Sequence, residues 1–165
     1  MLRGERLQLR PLGRGDLEQV DRINREPAVA RWWRPGEFQS WPLDDDAERL
    51  VICVEGEVAG LIQSAEETDP DFRHAAIDIF LSSRLHGRGL GTEAVTVLAR
   101  HLFDNRDHHR LVIDPAVANK AAIRCYERVG FRPVGVMRRY GVDPESGEWG
   151  DNLLMDLLSD ELERD

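Results

Sequence analysis

The chain has 165 residues, of which 41% are hydrophobic and 32% are charged, a composition typical of globular proteins. Its formal net charge of −9 argues against nucleic-acid binding and favours a polycationic small molecule or a basic peptide as partner. No apolar run reaches about 18 residues and the N-terminus has no hydrophobic signal core, so we expect a cytoplasmic protein without a membrane partner.

The N-terminal half predicts one strand, one helix and a hairpin within a single domain spanning 1–165, because no repeat or low-complexity linker divides the chain. The segment "RLQLRPL" reads as a strand, and Asp16 is placed to cap the helix that follows. A tryptophan-rich segment, "AVARWWRPGEFQSWP", reads as irregular. Two β-branched runs then flank a Glu55-Gly56 turn, which predicts a hairpin.

The C-terminal half alternates strands and helices. Strands are predicted at 75–81, "RLVIDP", "FRPVGVMRRY" and "WGDNLLMDLL". One predicted helix follows the glycine-rich turn and runs through Phe103; a second covers 119–129 and ends at Gly130. Hairpins combined with one crossover predict an α/β (α+β) fold with a mixed sheet of about seven strands flanked by helices.

The turn "HGRGLGTEAV" joins a predicted strand to a helix N-terminus, where free N–H groups and the helix dipole favour an anion. It is neither a dinucleotide fingerprint, since Thr92 stands where the third glycine belongs, nor a Walker loop, since Gly-Lys-Ser/Thr is absent. From this segment alone, a glycine-rich turn that binds nothing stays an alternative.

A second segment carries polar residues on one helix face. In "NKAAIRCYERVGF", Asn119 can cap the helix and present its amide to a ligand, and Tyr126 lies two turns further on. The tyrosine hydroxyl can return a proton to a departing thiolate, or it can be a core hydroxyl with an internal partner. Cys125 lacks a histidine partner, so a packed thiol is favoured over a nucleophile.

Together the two segments resemble the GNAT superfamily of acetyl-CoA-dependent N-acetyltransferases, and the resemblance spans about Leu7 to Leu158. It implies a mostly antiparallel sheet and acetyl-CoA as cofactor. It implies a diphosphate held around His86, Gly87, Arg88, Gly89, Gly91 and Thr92, and pantetheine held by backbone groups of Phe80 and Leu81 and by Asn119, with Tyr126 alongside. The chain departs from the family pattern at His86, where relatives have arginine or glutamine.

One carboxylate stands inside an apolar predicted strand. At that position Asp78 is expected to be solvated, to pair with an arginine or to bind a cationic ligand. An alkyl amine with a pKa near 10.4 is neutral about once in 2,500 molecules at pH 7, so its acetylation needs a base. A strand carboxylate that binds the ammonium and takes its proton meets that need.

The chain also resembles the aminoglycoside 6′-N-acetyltransferases in its "IDIFL", "IDPAVAN" and "RWW" segments. That resemblance implies Asp78 as base and a second carboxylate, Asp114, on the aminoglycoside, with Trp32 and Trp33 at the acceptor pocket. Relatives often place glutamine where this chain has Ile79, so acceptor specificity can differ. We also expect acidic residues near the pocket, without individual assignments, among Asp44, Asp45, Asp46, Glu66, Glu67, Asp69 and Asp71.

Three alternatives stay open. The opening "ERLQLRPL" and the C-terminal segment are similar to ribosomal-protein alanine N-acetyltransferases, which modify peptide N-termini, and a small polyamine is a further possible acceptor. A non-catalytic acyl-CoA-binding domain is the third. The pair His108-His109 with Asp104 and Asp107 lacks tetrahedral ligand spacing, so no metal site is expected. The chain is expected to be a monomer or a homodimer.

Overall fold

A computed structural model describes residues 1–43 and 46–164. Within these residues, eight strands form one sheet: β1 (Leu2–Arg3), β2 (Leu7–Pro11), β3 (Glu48–Val54), β4 (Glu57–Glu67), β5 (His74–Leu81), β6 (Arg110–Ile113), β7 (Arg132–Val142) and β8 (Trp149–Leu158). The same described ranges contain four α-helices: α1 (Leu17–Asn24), α2 (Pro27–Ala30), α3 (Leu90–Asp104) and α4 (Lys120–Val129). Short 3-10 turns cover Arg14–Asp16, Glu37–Gln39 and Ser83–Leu85.

The sheet has the order β1-β2-β3-β4-β5-β6-β8-β7, and every neighbouring pair is antiparallel except β5 and β6. The predicted mixed, mostly antiparallel sheet flanked by helices is confirmed. The predicted count of about seven strands is one short, because β1 pairs through only two residues, too few to show a periodic pattern.

Strands β5 and β6 run side by side over a very short distance. Their register pairs only Ala75 with Leu111 and Ala76 with Val112. The remaining residues of β5 therefore do not pair with β6, and a cleft opens between the two strands. The crossover from β5 to β6 passes through the glycine-rich turn and α3, so the turn lies at the mouth of this cleft.

Each face of the sheet carries its own hydrophobic cluster. Helices α3 and α4 cover one face, where the predicted face of α3 is buried at Ala94, Val95, Leu98, Ala99 and Leu102. Helix α1 and the tryptophan-rich segment cover the other face around Phe38 and Phe80. Because side chains alternate along a strand, neighbouring residues at the end of β5 enter different clusters.

The predicted cap at Asp16 takes a different form in the structure. Asp16 stands at the N-cap position of α1, but its side chain makes no capping bond to the helix. Its carboxylate instead accepts the Gly13 N–H at 2.8 Å and two hydrogen bonds from Arg10. The arginine hydrogen bond keeps the pKa of Asp16 below its usual range. In the part of the chain that the structure describes, no helix is long and apolar enough to cross a membrane.

Candidate active site

The opening between β5 and β6 widens into a cleft of about 1570 Å³. Most small-molecule pockets measure roughly 300–1,000 Å³, so this one has room for two ligands side by side. One wall consists of the glycine-rich turn and the start of α4, and the opposite wall consists of the tryptophan-rich segment and the start of β8. The end of β5 and the segment after β6 lie between these walls.

The glycine-rich turn presents a row of free backbone amides. Gly87 and Gly89 adopt positive φ angles of 76° and 77°, which residues with side chains rarely do. Helix α3 begins at Leu90. At its N-terminus the first backbone hydrogen bond is donated by the Glu93 N–H to the Gly89 carbonyl at 3.0 Å. Among the described residues, none accepts a hydrogen bond from the amides of 87–92. The turn therefore offers consecutive donors and a helix dipole to an anion.

The free edge of β5 differs in detail from the prediction. Ser82 N–H donates to the Ala59 carbonyl of β4 at 2.8 Å. Because the polar backbone groups alternate along a strand, Phe80 also turns its groups toward β4, and Ile79 and Leu81 turn theirs toward the cleft. His86 Nε2 donates to the Leu81 carbonyl at 2.9 Å. The groups open to a ligand are therefore those of Ile79 and the Leu81 N–H, whereas the backbone groups of Phe80 face β4, so the predicted backbone contact of Phe80 with pantetheine is not supported.

Helix α4 places Asn119 and Tyr126 on the cleft. The predicted cap is confirmed, since Asn119 Oδ1 accepts the Ala122 N–H at 3.3 Å. Tyr126 is buried and packs against Phe131, yet it contributes to the cleft wall. Burial raises the pKa of its hydroxyl far above the ordinary value, with further contributions from Cys125 and from the carboxylates of the cleft. Tyr126 therefore keeps its proton.

Cys125 is a packed thiol. Its sulfur lies 3.4 Å from the Thr92 hydroxyl and against the backbone of Gly91, so it joins α4 to the start of α3. Burial raises the pKa of the thiol, which disfavours the thiolate that a nucleophile needs. These contacts support the packed-thiol interpretation.

Two carboxylates face the cleft without a cation. Asp78 opposes Gln63 of β4, whose amide donates to its carboxylate. Enclosure by protein and the nearby charge of Asp114 raise the pKa of Asp78 to about 7, although the side chain itself is open to the cleft. Burial also raises the pKa of Asp114, opposed by a hydrogen bond from Asn152. No described lysine or arginine pairs with either carboxylate, so the arginine-paired alternative for Asp78 fails.

The tryptophans Trp32 and Trp33 both line the cleft. Trp33 packs edge-on against Phe80, with ring centroids 4.9 Å apart, and its Nε1–H donates to Glu37 at 3.3 Å. The Arg31 guanidinium lies 4.0 Å above the Trp32 ring. Trp149, which the sequence left unassigned, also lines the cleft and is 64% exposed. Trp149 is therefore open to the cleft, whereas Arg31 covers one face of Trp32.

Carboxylates and cations both line the cleft, and Arg31, which pairs with Asp143 at 2.6 Å, and Arg34 come from the tryptophan-rich segment. The carboxylates of the cleft come from five separate segments: Glu37, Asp78, Asp114, Asp143 and Asp151. Of the acidic residues predicted near the pocket, Asp44 and Asp45 lie outside the described residues, and the others do not line the cleft. Glu66, for example, pairs with Arg106 at 2.8 Å. A run of acidic residues in sequence thus pointed to the wrong segments.

A row of cations on α4 lines the cleft, and sequence reasoning missed it. Lys120, Arg124 and Arg128 recur every four residues, so they share one helix face, and all three line the cleft beside the glycine-rich turn. In the described chain none of them forms an ion pair. The spacing of four residues between these basic side chains was the sequence signal that could have revealed a basic helix face. No group of three potential ligands among the described residues could hold a metal ion.

Comparison with known proteins agrees with this geometry. The family model for the acetyltransferase (GNAT) domain matches residues 6–132. Spermidine N(1)-acetyltransferase of Escherichia coli (strain K12) is 28% identical over 139 residues, which cover 78% of this chain and 74% of that protein. Aminoglycoside N(6')-acetyltransferase type 1 of Klebsiella pneumoniae is 29% identical over 153 residues, covering 78% and 75%.

A solved structure shares the whole architecture. The aminoglycoside acetyltransferase AAC(6')-Ib in complex with coenzyme A and kanamycin superimposes with a TM-score of 0.78 at 26% identity, covering 94% of this chain and 96% of that one. The matched domain includes the free amides, the capped α4 and the open edge of β5 described above. The chain belongs to the GNAT family and is an acetyl-CoA-dependent N-acetyltransferase.

Proposed function

We propose that the chain acetylates a polycationic primary amine, and specifically the 6′-amine of an aminoglycoside. The observation that carries the proposal is the pair Asp78 and Asp114. Both carboxylates face one cleft, no described cation neutralises them, and the free amides of the glycine-rich turn line the same cleft. An acceptor with several ammonium groups meets both carboxylates at once, whereas a monoamine leaves one of them uncompensated.

The cofactor side of the cleft fits acetyl-CoA. The amides of 87–92 suit a diphosphate, and the edge groups of Ile79 and Leu81 suit the amides of the pantetheine arm. The cations of α4 add positive charge in a protein whose net charge is −9. When bound, acetyl-CoA supplies the acetyl group as an activated thioester, and the chain's residues position the amine and move its protons.

Asp78 is the proposed base. It first holds the acceptor ammonium as an ion pair and then accepts its proton, directly or through water. Deprotonating an alkyl amine at pH 7 costs about 4.6 kcal/mol, from 3.4 pKa units at 1.36 kcal/mol each. The raised pKa of Asp78, about 7, brings the carboxylate closer to the pKa of the amine than an ordinary aspartate would be. The enclosure that raises this pKa thus also makes Asp78 the stronger base.

Asp114 and the tryptophans position the acceptor. Asp114 binds a second ammonium group, while Trp33 and the part of Trp32 that Arg31 leaves open add apolar surface beside the sugar rings. Tyr126 keeps its proton because of its raised pKa, so its hydroxyl can donate a hydrogen bond to the sulfur that leaves, although the same raised pKa disfavours full transfer of the proton. The acetyl group passes directly to the amine, since Cys125 is too well packed to carry it.

Spermidine is the second candidate acceptor. The spermidine and aminoglycoside acetyltransferases are equally similar to this chain, at 28% and 29% identity. Both acceptors are polycations, but only an aminoglycoside offers rings to an aromatic wall. The exposed Trp32 and Trp149 at the acceptor side therefore favour the aminoglycoside.

A turnover panel tests the proposal. Purified protein with acetyl-CoA is offered kanamycin, tobramycin, spermidine and an alanine-led peptide, and free thiol is measured, followed by mass spectrometry of the product. We expect the highest kcat/KM with the aminoglycosides and acetylation at the 6′ position. Preferential turnover of spermidine selects the second candidate, and peptide turnover alone contradicts a small polycationic acceptor. CoA binding without turnover of any amine contradicts the catalytic assignment of Asp78.

A further inference from the structure

The segment before β2 is fastened to the start of α3. The Glu93 carboxylate accepts the Arg6 backbone N–H at 2.7 Å through Oε1 and the Arg6 Nε at 2.8 Å through Oε2. The same guanidinium donates from Nη1 to the Arg88 carbonyl at 2.8 Å. One arginine therefore joins the first turn of α3 to the backbone of the glycine-rich turn.

The N-terminal segment is shaped around this contact. A Cβ atom added at Gly4 would lie 2.5 Å from Glu93 Oε1, so a larger residue there would push the Glu93 side chain out of this position. Gly4 N–H in turn donates to the Leu7 carbonyl at 2.9 Å, which closes the turn between β1 and β2. The Glu93 side chain is 13% exposed and the Arg6 side chain 52%. The carboxylate is thus enclosed by the turn, and the arginine covers it.

The orientation of one peptide group follows from the arginine. In a trans peptide the carbonyl of Arg88 and the N–H of Gly89 point in opposite directions. Because Arg6 binds the carbonyl, the Gly89 N–H is turned away from Arg6 and joins the row of amides that lack an acceptor in the described chain. Arg6 also offsets the charge of Glu93, which would otherwise repel an anion at the helix N-terminus.

We propose that Arg6 and Glu93 are positioning residues for the diphosphate of acetyl-CoA. Arg6 acts on the cofactor through the Arg88-Gly89 peptide and through the charge of Glu93. The inference rests on the proposed function only in assigning the amides of 87–92 to the diphosphate. The Arg6 side chain is half exposed, and its backbone N–H still donates to Glu93 after Arg6→Ala, so we expect this substitution to change cofactor affinity more than folding stability.

Calorimetric titration with CoA tests the proposal without turnover. We expect Arg6→Ala to weaken CoA binding about tenfold, the order expected when a charged hydrogen-bonding partner is removed. The double variant with Glu93→Gln should recover part of that loss, because it also removes the uncompensated carboxylate. Arg22→Ala breaks an exposed ion pair with Glu18 on α1, away from the cleft, and serves as the matched control with unchanged affinity.

A carrier without the diphosphate separates positioning from general damage. Steady-state KM is measured for acetyl-CoA and for S-acetyl-pantetheine. Arg6→Ala should raise KM for acetyl-CoA and leave KM for S-acetyl-pantetheine and the thermal unfolding midpoint unchanged. An equal rise for both carriers, or unchanged CoA affinity, overturns the proposal. If wild-type protein binds CoA but acetylates no amine, the proposed function fails while the titration still decides the role of Arg6.

Discussion

Replacing Asp78 with asparagine removes the proposed base while keeping the size of the side chain. The amide can neither hold the acceptor ammonium as an ion pair nor accept its proton. Asp78 makes no ion pair within the described chain, and its nearest polar neighbour is the Gln63 amide. We therefore expect the substitution to leave the surrounding structure intact.

The expected decrease in kcat follows from the fraction of the acceptor amine that is neutral. Without a base, the reaction draws on the neutral fraction of the acceptor, about one molecule in 2,500 at pH 7 for an alkyl amine. That fraction sets the upper limit of the effect, and positioned bases contribute roughly 10² to 10⁴-fold. We expect Asp78→Asn to lower kcat by about 10² to 10³-fold at pH 7 and to leave the Kd for CoA unchanged.

The assay follows thiol release with kanamycin and acetyl-CoA for the wild type, Asp78→Asn and Asp71→Asn. Asp71 lies on the exposed turn between β4 and β5, so its substitution changes net charge equally without touching the cleft. We expect Asp71→Asn to match the wild type. A kcat for Asp78→Asn within a factor of two or three of the wild type refutes Asp78 as base.

Further outcomes concern pH, the second carboxylate and the cofactor. Because a base must be unprotonated and the pKa of Asp78 is raised to about 7, kcat/KM for the acceptor should rise with pH through about 7; a plateau down to pH 5 contradicts this. Asp78→Asn should also raise the thermal unfolding midpoint at pH 8 but not at pH 3.5. The pKa of Asp78 is higher in the folded than in the unfolded chain, so its ionisation destabilises the fold only at a pH above the unfolded-state pKa. Asp114→Asn should raise the acceptor KM more than it lowers kcat, as measured with kanamycin. The double variant Arg124→Ala/Arg128→Ala removes cations that line the cleft beside the amides and can bind the 3′-phosphate of CoA. In calorimetry it should weaken the binding of CoA several-fold and that of 3′-dephospho-CoA less. Equal losses for the two ligands argue against a contact with the 3′-phosphate.

Local patterns in the sequence were sufficient for most of the fold. The apolar positions of α3 repeat with the helical period and are buried as predicted. Asn119 and Gly130 mark the two ends of α4 in the structure. Both features depend on residues within a few positions of one another, so one sequence reveals them. Strand β1 was missed because two residues cannot display a period.

Contacts between distant segments could not be predicted in this way. Arg6 and Glu93 are 87 residues apart, and no pattern within either segment connects them. Which backbone groups of β5 face the cleft depends on the pairing of Ser82 with Ala59, and this pairing excluded Phe80. The carboxylates of the cleft come from five segments, so counting carboxylates along the chain selected the wrong ones. Motifs predicted the glycine-rich turn, Asn119, Tyr126, Asp78 and Asp114 as cleft residues, whereas the α4 cations and the remaining carboxylates of the cleft required the tertiary structure.

The central claim is that the amides of 87–92 hold the diphosphate of acetyl-CoA and that Asp78 receives the acceptor amine in the same cleft, and a crystal structure with CoA and kanamycin tests it most directly. We expect diphosphate oxygens at hydrogen-bonding distance, roughly 2.7–3.2 Å, from several of these amides and an acceptor ammonium against the Asp78 carboxylate. A diphosphate bound away from the turn, or an acceptor amine remote from Asp78, would contradict the account.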